Sequence, residues 1–138
     1  MDRAEIAAAV QRELTVFARR VRGAPHQELP FVAYSMLSSI DAADGCRSVD
    51  LVTLYRLDKS TVSRQVGDLE RRGLVAKTTD PAHGRGQVLT VTPAGRALLH
   101  EAAATRQTEL ARRVATWSDE ELAAFAAALQ RYNAAEPD

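Results

Sequence analysis

The fifty residues from Asp50 to Leu99 constrain this chain more than any other stretch, and they read DLVTLYRLDKSTVSRQVGDLERRGLVAKTTDPAHGRGQVLTVTPAGRALL. A short helix over SVDLVTLY, with Ser48 as its N-cap, leads into a two-residue turn, Arg56-Leu57. Asp58 then caps a helix from Lys59 to about Arg72, and Gly73 suits the position just past its end. Two runs rich in Val, Leu and Thr follow, Leu74 to Thr79 and Gln87 to Thr92. The polar, glycine-rich DPAHGRG between them predicts a hairpin. Thr92-Pro93 pairs an N-cap with a proline at the first helical position, so a helix begins there and runs to about Trp117. Helix, turn, polar-faced helix, hairpin and long helix, in that order, leave few folds open.

The flanks are helical. From Glu5 to Val21, apolar residues fall at Ile6, Val10, Leu14, Phe17 and Val21, and these steps of three and four make one stripe. Arg19, Arg20 and Arg22 crowd the last turn, where they suit the helix dipole, and Gly23 with Pro25 ends the helix. Pro30 opens a second helix through FVAYSMLSSIDAA that stops near Asp44-Gly45. Ser118 caps a final helix with acids in its first turn and a stripe of Leu122, Phe125, Leu129 and Tyr132. Two terminal helices with apolar stripes need a cover, and a second subunit is the natural one.

Composition narrows the class. The chain has 138 residues, 46% hydrophobic and 26% charged, enough for one folded domain rather than disorder. No apolar run approaches the ~20 residues of a membrane span. The opening MDRAEIAAAVQREL spreads charges where a signal peptide would be apolar, so a cytoplasmic protein is expected. Net charge is zero, but its distribution is uneven. From Arg56 to Arg85 seven basic residues face four acids, a local excess of three positive charges balanced elsewhere in the chain. Phosphate binding needs such a local face, not a basic protein.

On the helix from Lys59, Val62, Val66 and Leu69 form a face to pack on Leu51, Leu54 and Leu57. The opposite face carries Ser60, Thr61, Ser63, Arg64, Gln65 and Asp68. Arginine pairs with guanine O6 and N7, glutamine with adenine N6 and N7, and short hydroxyls adapt or contact phosphate. Small side chains also let the helix N-terminus, with its free N–H groups, approach a groove. Lys59, Arg56 and Arg72 are placed to hold phosphates.

The phrase LDKSTVSRQVGDLERRGLV, Leu57 to Val75, followed by Asp80-Pro81 and then Thr92-Pro93-Ala94-Gly95, resembles the MarR family of bacterial transcriptional regulators. With the two helical ends, the resemblance spans essentially the whole chain. It implies a mainly α fold: a winged helix-turn-helix lobe at about 31–92, with helices at about 1–30 and 93–138 forming a dimerisation region of one 138-residue domain. It further implies a homodimer on double-stranded DNA at a pseudo-palindromic site, acting as a ligand-responsive repressor, with activation equally compatible with the chemistry. Arg85 falls at the position of the wing arginine that enters the minor groove. His83 replaces the acid that would orient it, which implies a looser wing and a DNA affinity that is lower or pH-sensitive. Arg56 stands where the family's turn usually has glycine: either the backbone avoids positive φ, or it is strained there. Tyr55 stands where leucine is commoner, a change of packing. Family members commonly bind a small aromatic or phenolic anion between the dimer helices and the winged lobe. His26, Tyr34, Met36, Leu37 and Ile40 are the candidates to line that cleft, with ordinary core packing as the competing account of each.

Other chemistries find little support. Nucleophile–base motifs, a phosphate-binding loop and a dinucleotide fingerprint are missing, so no enzyme and no cofactor is expected. His26, His83, His100 and Cys46 are the soft ligands, and no two have metal-ligand spacing. Cys46 lies beside Arg47, which could activate a thiol, but a lone cysteine there reads as a small apolar filler. The remaining alternative is a protein-interaction module that keeps the winged fold, as in an anti-repressor.

Overall fold

The computed structural model describes residues 1–23, 29–79 and 86–135. Among them are helices α1 (Arg3–Arg22), α2 (Phe31–Ala42), α3 (Ser48–Tyr55), α4 (Lys59–Arg71), α5 (Pro93–Arg113) and α6 (Asp119–Ala134). Strands β1 (Val75–Thr79) and β2 (Gln87–Val91) lie between α4 and α5. They pair antiparallel with Val75 opposite Val91 and Thr79 opposite Gln87, the hairpin expected around the polar tip. The chain divides into two compact units, Met1–Ala102 and Ala103–Asp138.

The first unit holds the core. Met36, Leu37 and Ile40 of α2, Leu51 of α3, and Val62, Val66 and Leu69 of α4 are buried together with Leu74, Val75 and Leu89 of the hairpin and Leu99 of α5. The α4 periodicity therefore resolves as read: positions four and three apart turn inward and fix the helix's rotation about its own axis. Leu57 packs at the edge of this core, but Leu54 is 63% exposed and takes no part in it. Leu54 lies three positions after Leu51, but in a two-turn helix the inward face has room for Leu51 and partial cover from Val52 and Tyr55.

Local chemistry explains the ends of the elements. Asp2 and Glu5 cap α1 reciprocally, each backbone N–H meeting the other's carboxylate at 2.8 Å. Ser118 and Glu121 cap α6 likewise, the Ser118 N–H bonding the Glu121 carboxylate and the Glu121 N–H the Ser118 hydroxyl, each at 3.1 Å. The N-cap of α3 is Arg47 rather than Ser48, because Arg47 is extended and donates its N–H to Asp50 Oδ2 at 2.9 Å. Helix α5 ends at Arg113, short of Trp117. The Trp117 N–H turns back to the Val114 carbonyl at 2.9 Å, a tight turn that closes before the Ser118 cap.

The junction of hairpin and α5 is held by one threonine. Thr92 Oγ1 accepts from the Gly95 N–H at 3.0 Å and donates to the Gly73 carbonyl at 2.6 Å. Its own N–H bonds the Leu74 carbonyl at 3.0 Å. Gly95 is buried so closely on Leu74 that a Cβ would stand 2.1 Å from the Leu74 carbonyl oxygen. The spacing Thr-x-x-Gly thus has a physical reason: cap and close approach in one turn. Across the unit, Arg96 reaches Asp41 at 3.5 Å and ties α5 to α2.

In the second unit, Trp117 and Phe125 meet edge to face with ring centroids 5.4 Å apart. Glu109 binds Arg112 at 2.8 Å and Arg113 at 2.9 Å on the helix surface. The stripes of the terminal helices stay open in the single chain. Ile6, Val10 and Phe17 of α1 and Phe125, Leu129 and Tyr132 of α6 are all exposed. No helix among the described residues is long and apolar enough to cross a membrane.

Candidate nucleic-acid interface

Helix α4 separates its two jobs by face. With Val62, Val66 and Leu69 buried, Ser60, Ser63 and Arg64 stand exposed, and Thr61 and Gln65 are half-buried along its flanks. At 100° per residue, Ser60, Arg64, Gly67 and Arg71 follow one outward line. Gly67 leaves a gap in that line, and the Arg71 guanidinium lies over it, 3.3 Å from where a Cβ would be. Arg71 also pairs with Asp68. The polar groups free to meet a ligand are therefore concentrated in the first two turns.

Asp58 organises that end of the helix. Its carboxylate accepts from the Thr61 N–H at 2.7 Å and from Ser60 Oγ at 3.1 Å. Hydrogen bonds from the Thr61 side chain, the Thr61 backbone and Ser60 hold the Asp58 carboxyl below its ordinary range, with Arg64 adding to the effect. This qualifies the sequence reading. The Thr61 N–H is already satisfied, so the α4 terminus offers fewer free donors to a phosphate than a bare helix end would. Arg64 Nη2 lies 3.4 Å from Thr61 Oγ1, a long contact that holds the guanidinium over the first turns.

The turn settles the question of Arg56. Its backbone is left-handed, φ 52° and ψ 37°, so the chain adopts the glycine-like geometry with an arginine in place. An L-residue there is strained by about 1–2 kcal/mol, although glycine would lose more entropy on folding. Replacing Arg56 by Gly should raise stability by about 0.5 kcal/mol in urea denaturation, while weakening DNA binding if the guanidinium meets a phosphate. Opposite signs in the two assays would separate strain from contact.

Arg56 and Lys59, both exposed, flank the α4 N-terminus. Arg72 does not join them: it is the C-cap, roughly 20 Å away along the helix axis. His83 and Arg85, assigned to the wing, and His26, assigned to the effector cleft, lie outside the described residues. Met36, Leu37 and Ile40 are fully buried, so core packing accounts for them and they leave no surface to line a cleft. Tyr34 is half-buried at the core's edge. Burial, and then the charge of Asp50, push the Cys46 thiol up, opposite to what an oxidation sensor needs.

Three features escaped sequence reasoning. Tyr55 is more than a packing change, because its hydroxyl meets Ser35 Oγ at 2.6 Å and Ser39 Oγ at 3.2 Å and so links α3 to α2. Serines at i and i+4 on the helix before a tyrosine are the only signal, and a weak one. Cys46 forms an antiparallel bridge to Leu89, adding a short third edge to the hairpin. Arg47 packs its guanidinium against Gly86, with Nη2 2.4 Å from the position of an absent Cβ.

A turn-linked helix pair, with the second helix showing hydroxyls and an arginine outward and a hairpin behind it, is a winged helix-turn-helix, the architecture of DNA-binding regulators. Residues 27–86 match the model of the MarR family. The uncharacterized HTH-type transcriptional regulator YxaD of Bacillus subtilis (strain 168) is 32% identical over 131 residues, 91% of this chain and 92% of that protein. This chain belongs to the MarR family of transcriptional regulators, which are not enzymes. Among solved structures, it is similar to Bordetella bronchiseptica BpsR, whose DNA binding is regulated by 6-hydroxynicotinic acid. Identity is 26%, the TM-score is 0.69, and the match covers 96% of this chain and 93% of that one. A mutant MarR from E. coli, complexed with operator DNA, has the same fold, with a TM-score of 0.74 at 17% identity over 96% of this chain and 99% of that one.

Proposed function

We propose that this regulator binds a pseudo-palindromic operator as a homodimer and represses by occluding a promoter in the cytoplasm. The observation that carries the reading is the division of α4, with its inward residues sealed in the core and Ser60, Ser63 and Arg64 exposed on the first two turns. A rigidly seated helix with a small-residue, single-arginine tip has the shape and donors for base-edge reading. Thr61 and Gln65 flank that surface, Lys59 and Arg56 supply phosphate contacts, and Arg85 serves the minor groove. Arg72 is left with a peripheral backbone contact at most.

Dimerisation is inferred from the open stripes of α1 and α6, which a second copy would cover, giving the terminal helices a dimerisation role within one functional domain. A small aromatic anion is the proposed class of effector, by analogy with the acid that regulates BpsR. Of the described residues first considered for it, Tyr34 alone keeps exposed surface.

Selection of bound duplexes from a random DNA pool, at two salt concentrations, tests the reading. An enriched inverted repeat with half-sites about one helical turn apart supports it. Weak, salt-insensitive retention without enrichment moves the assignment to a protein-binding winged domain. On the selected site, Arg64→Ala should relax preference at one base position per half-site and cost ~1–3 kcal/mol there. If competition against substituted duplexes shows unchanged preference, the recognition face is misassigned.

A further inference from the structure

Among the described residues, one buried side-chain nitrogen or oxygen has no hydrogen-bond partner, and it is Arg47 Nη2. The backbone explains how an arginine reaches such a place. Cys46 and Leu89 exchange two hydrogen bonds, Cys46 N to Leu89 O at 3.1 Å and Leu89 N to Cys46 O at 2.7 Å. Antiparallel pairing from that bridge carries the next residue, Arg47, towards the start of β2. There the guanidinium settles on Gly86: a Cβ would lie 2.4 Å from Nη2, 2.5 Å from Cζ and 2.9 Å from Nε. Only glycine leaves that space. The nearby Asp50 carboxylate is bonded to the Arg47 backbone instead, its Oδ2 accepting from the Arg47 N–H at 2.9 Å.

Among the described residues the seat therefore offers Nη2 packing and no acceptor. A buried, charged donor left in that condition is costly, and moving it to an anionic oxygen gains charge-assisted hydrogen bonds while forfeiting none. Arg47 is half-buried as a residue, so part of it already meets solvent. We propose that Arg47 is a DNA-backbone contact, swinging from its seat on Gly86 onto a phosphate that flanks the half-site. The planar guanidinium suits a phosphate oxygen pair, and such a contact anchors the hairpin side of the lobe without reading sequence. This assignment rests on the DNA-binding reading above.

Arg47→Met keeps the length and apolar packing of the stem and removes the charge. Its binding to the selected duplex and to a mixed-sequence duplex of equal length would be titrated across a salt series beside the wild type and Arg47→Lys. Expected for Arg47→Met is a roughly tenfold weaker affinity on both duplexes and a log Kd against log salt slope shallower by about one per protomer. Arg47→Lys should keep the wild-type slope. Thermal melting by circular dichroism, run in parallel, detects loss of fold. A Met variant with wild-type slope overturns the proposal, whether or not its melting point has moved, since a purely structural role leaves the count of phosphate contacts unchanged. A wild-type protein without salt-dependent binding to either duplex overturns the DNA-binding reading itself, so the two failures are distinguishable.

Discussion

Replacing Gly95 by Ala should destabilise the protein by about 3 kcal/mol, although it adds a single methyl group to a helix. Helix propensity alone would favour alanine by nearly 1 kcal/mol. Close packing reverses the sign. The added Cβ would stand 2.1 Å from the Leu74 carbonyl oxygen and 3.0 Å from Val91 Cγ1, and backbone cannot step aside as a flexible side chain can. Relief requires α5 to lift from the hairpin, which breaks the Gly95 N–H bond to Thr92 and loosens Leu99 in the core. Equilibrium urea denaturation measures the loss. Ala94→Ser, at an exposed neighbour, should stay within about 0.5 kcal/mol. An unchanged midpoint for the Gly95 variant would mean that the α5–hairpin approach is looser than described.

The second large effect concerns assembly. Phe17→Glu places a charge in the middle of the α1 stripe, where the ring is half exposed in the single chain and has the Arg20 guanidinium 5.4 Å from its centre. The monomer's own core should tolerate it, since α1 contributes no fully buried residue. A dimer that covers this stripe should not tolerate it, because a carboxylate would be desolvated without a partner. Sedimentation should show the variant as a monomer at concentrations where the wild type is dimeric. Operator affinity should fall about 10²–10⁴-fold, the loss expected when two linked half-site contacts become independent. A variant that sediments as a dimer and binds as the wild type does would remove α1 from the interface.

Helix α4 and the hairpin were legible in the sequence because each is encoded locally. Val62, Val66 and Leu69 repeat at helical spacing, Asp58 and Gly73 bracket them, and the β-prone runs flank an evident turn. What escaped depends on contacts between distant residues. Leu54 looked inward by composition, but an eight-residue helix seated by Leu51 leaves it in solvent. Met36, Leu37 and Ile40 carried the same apolar signal whether they lined a cleft or filled a core, and only packing distinguishes the two. The Arg47–Gly86 seat joins residues 39 positions apart, and neither residue type announces it. Gly95 was visible as part of a motif, yet its reason, a carbonyl oxygen from another element, was not.

The clasp at Thr92 has a consequence for how such a regulator can change. One hydroxyl and one amide shut the hairpin at its root, joining Gly73, Leu74 and Gly95. Hairpin root and first turn of α5 are thus one piece, and a shift of either carries the other with it.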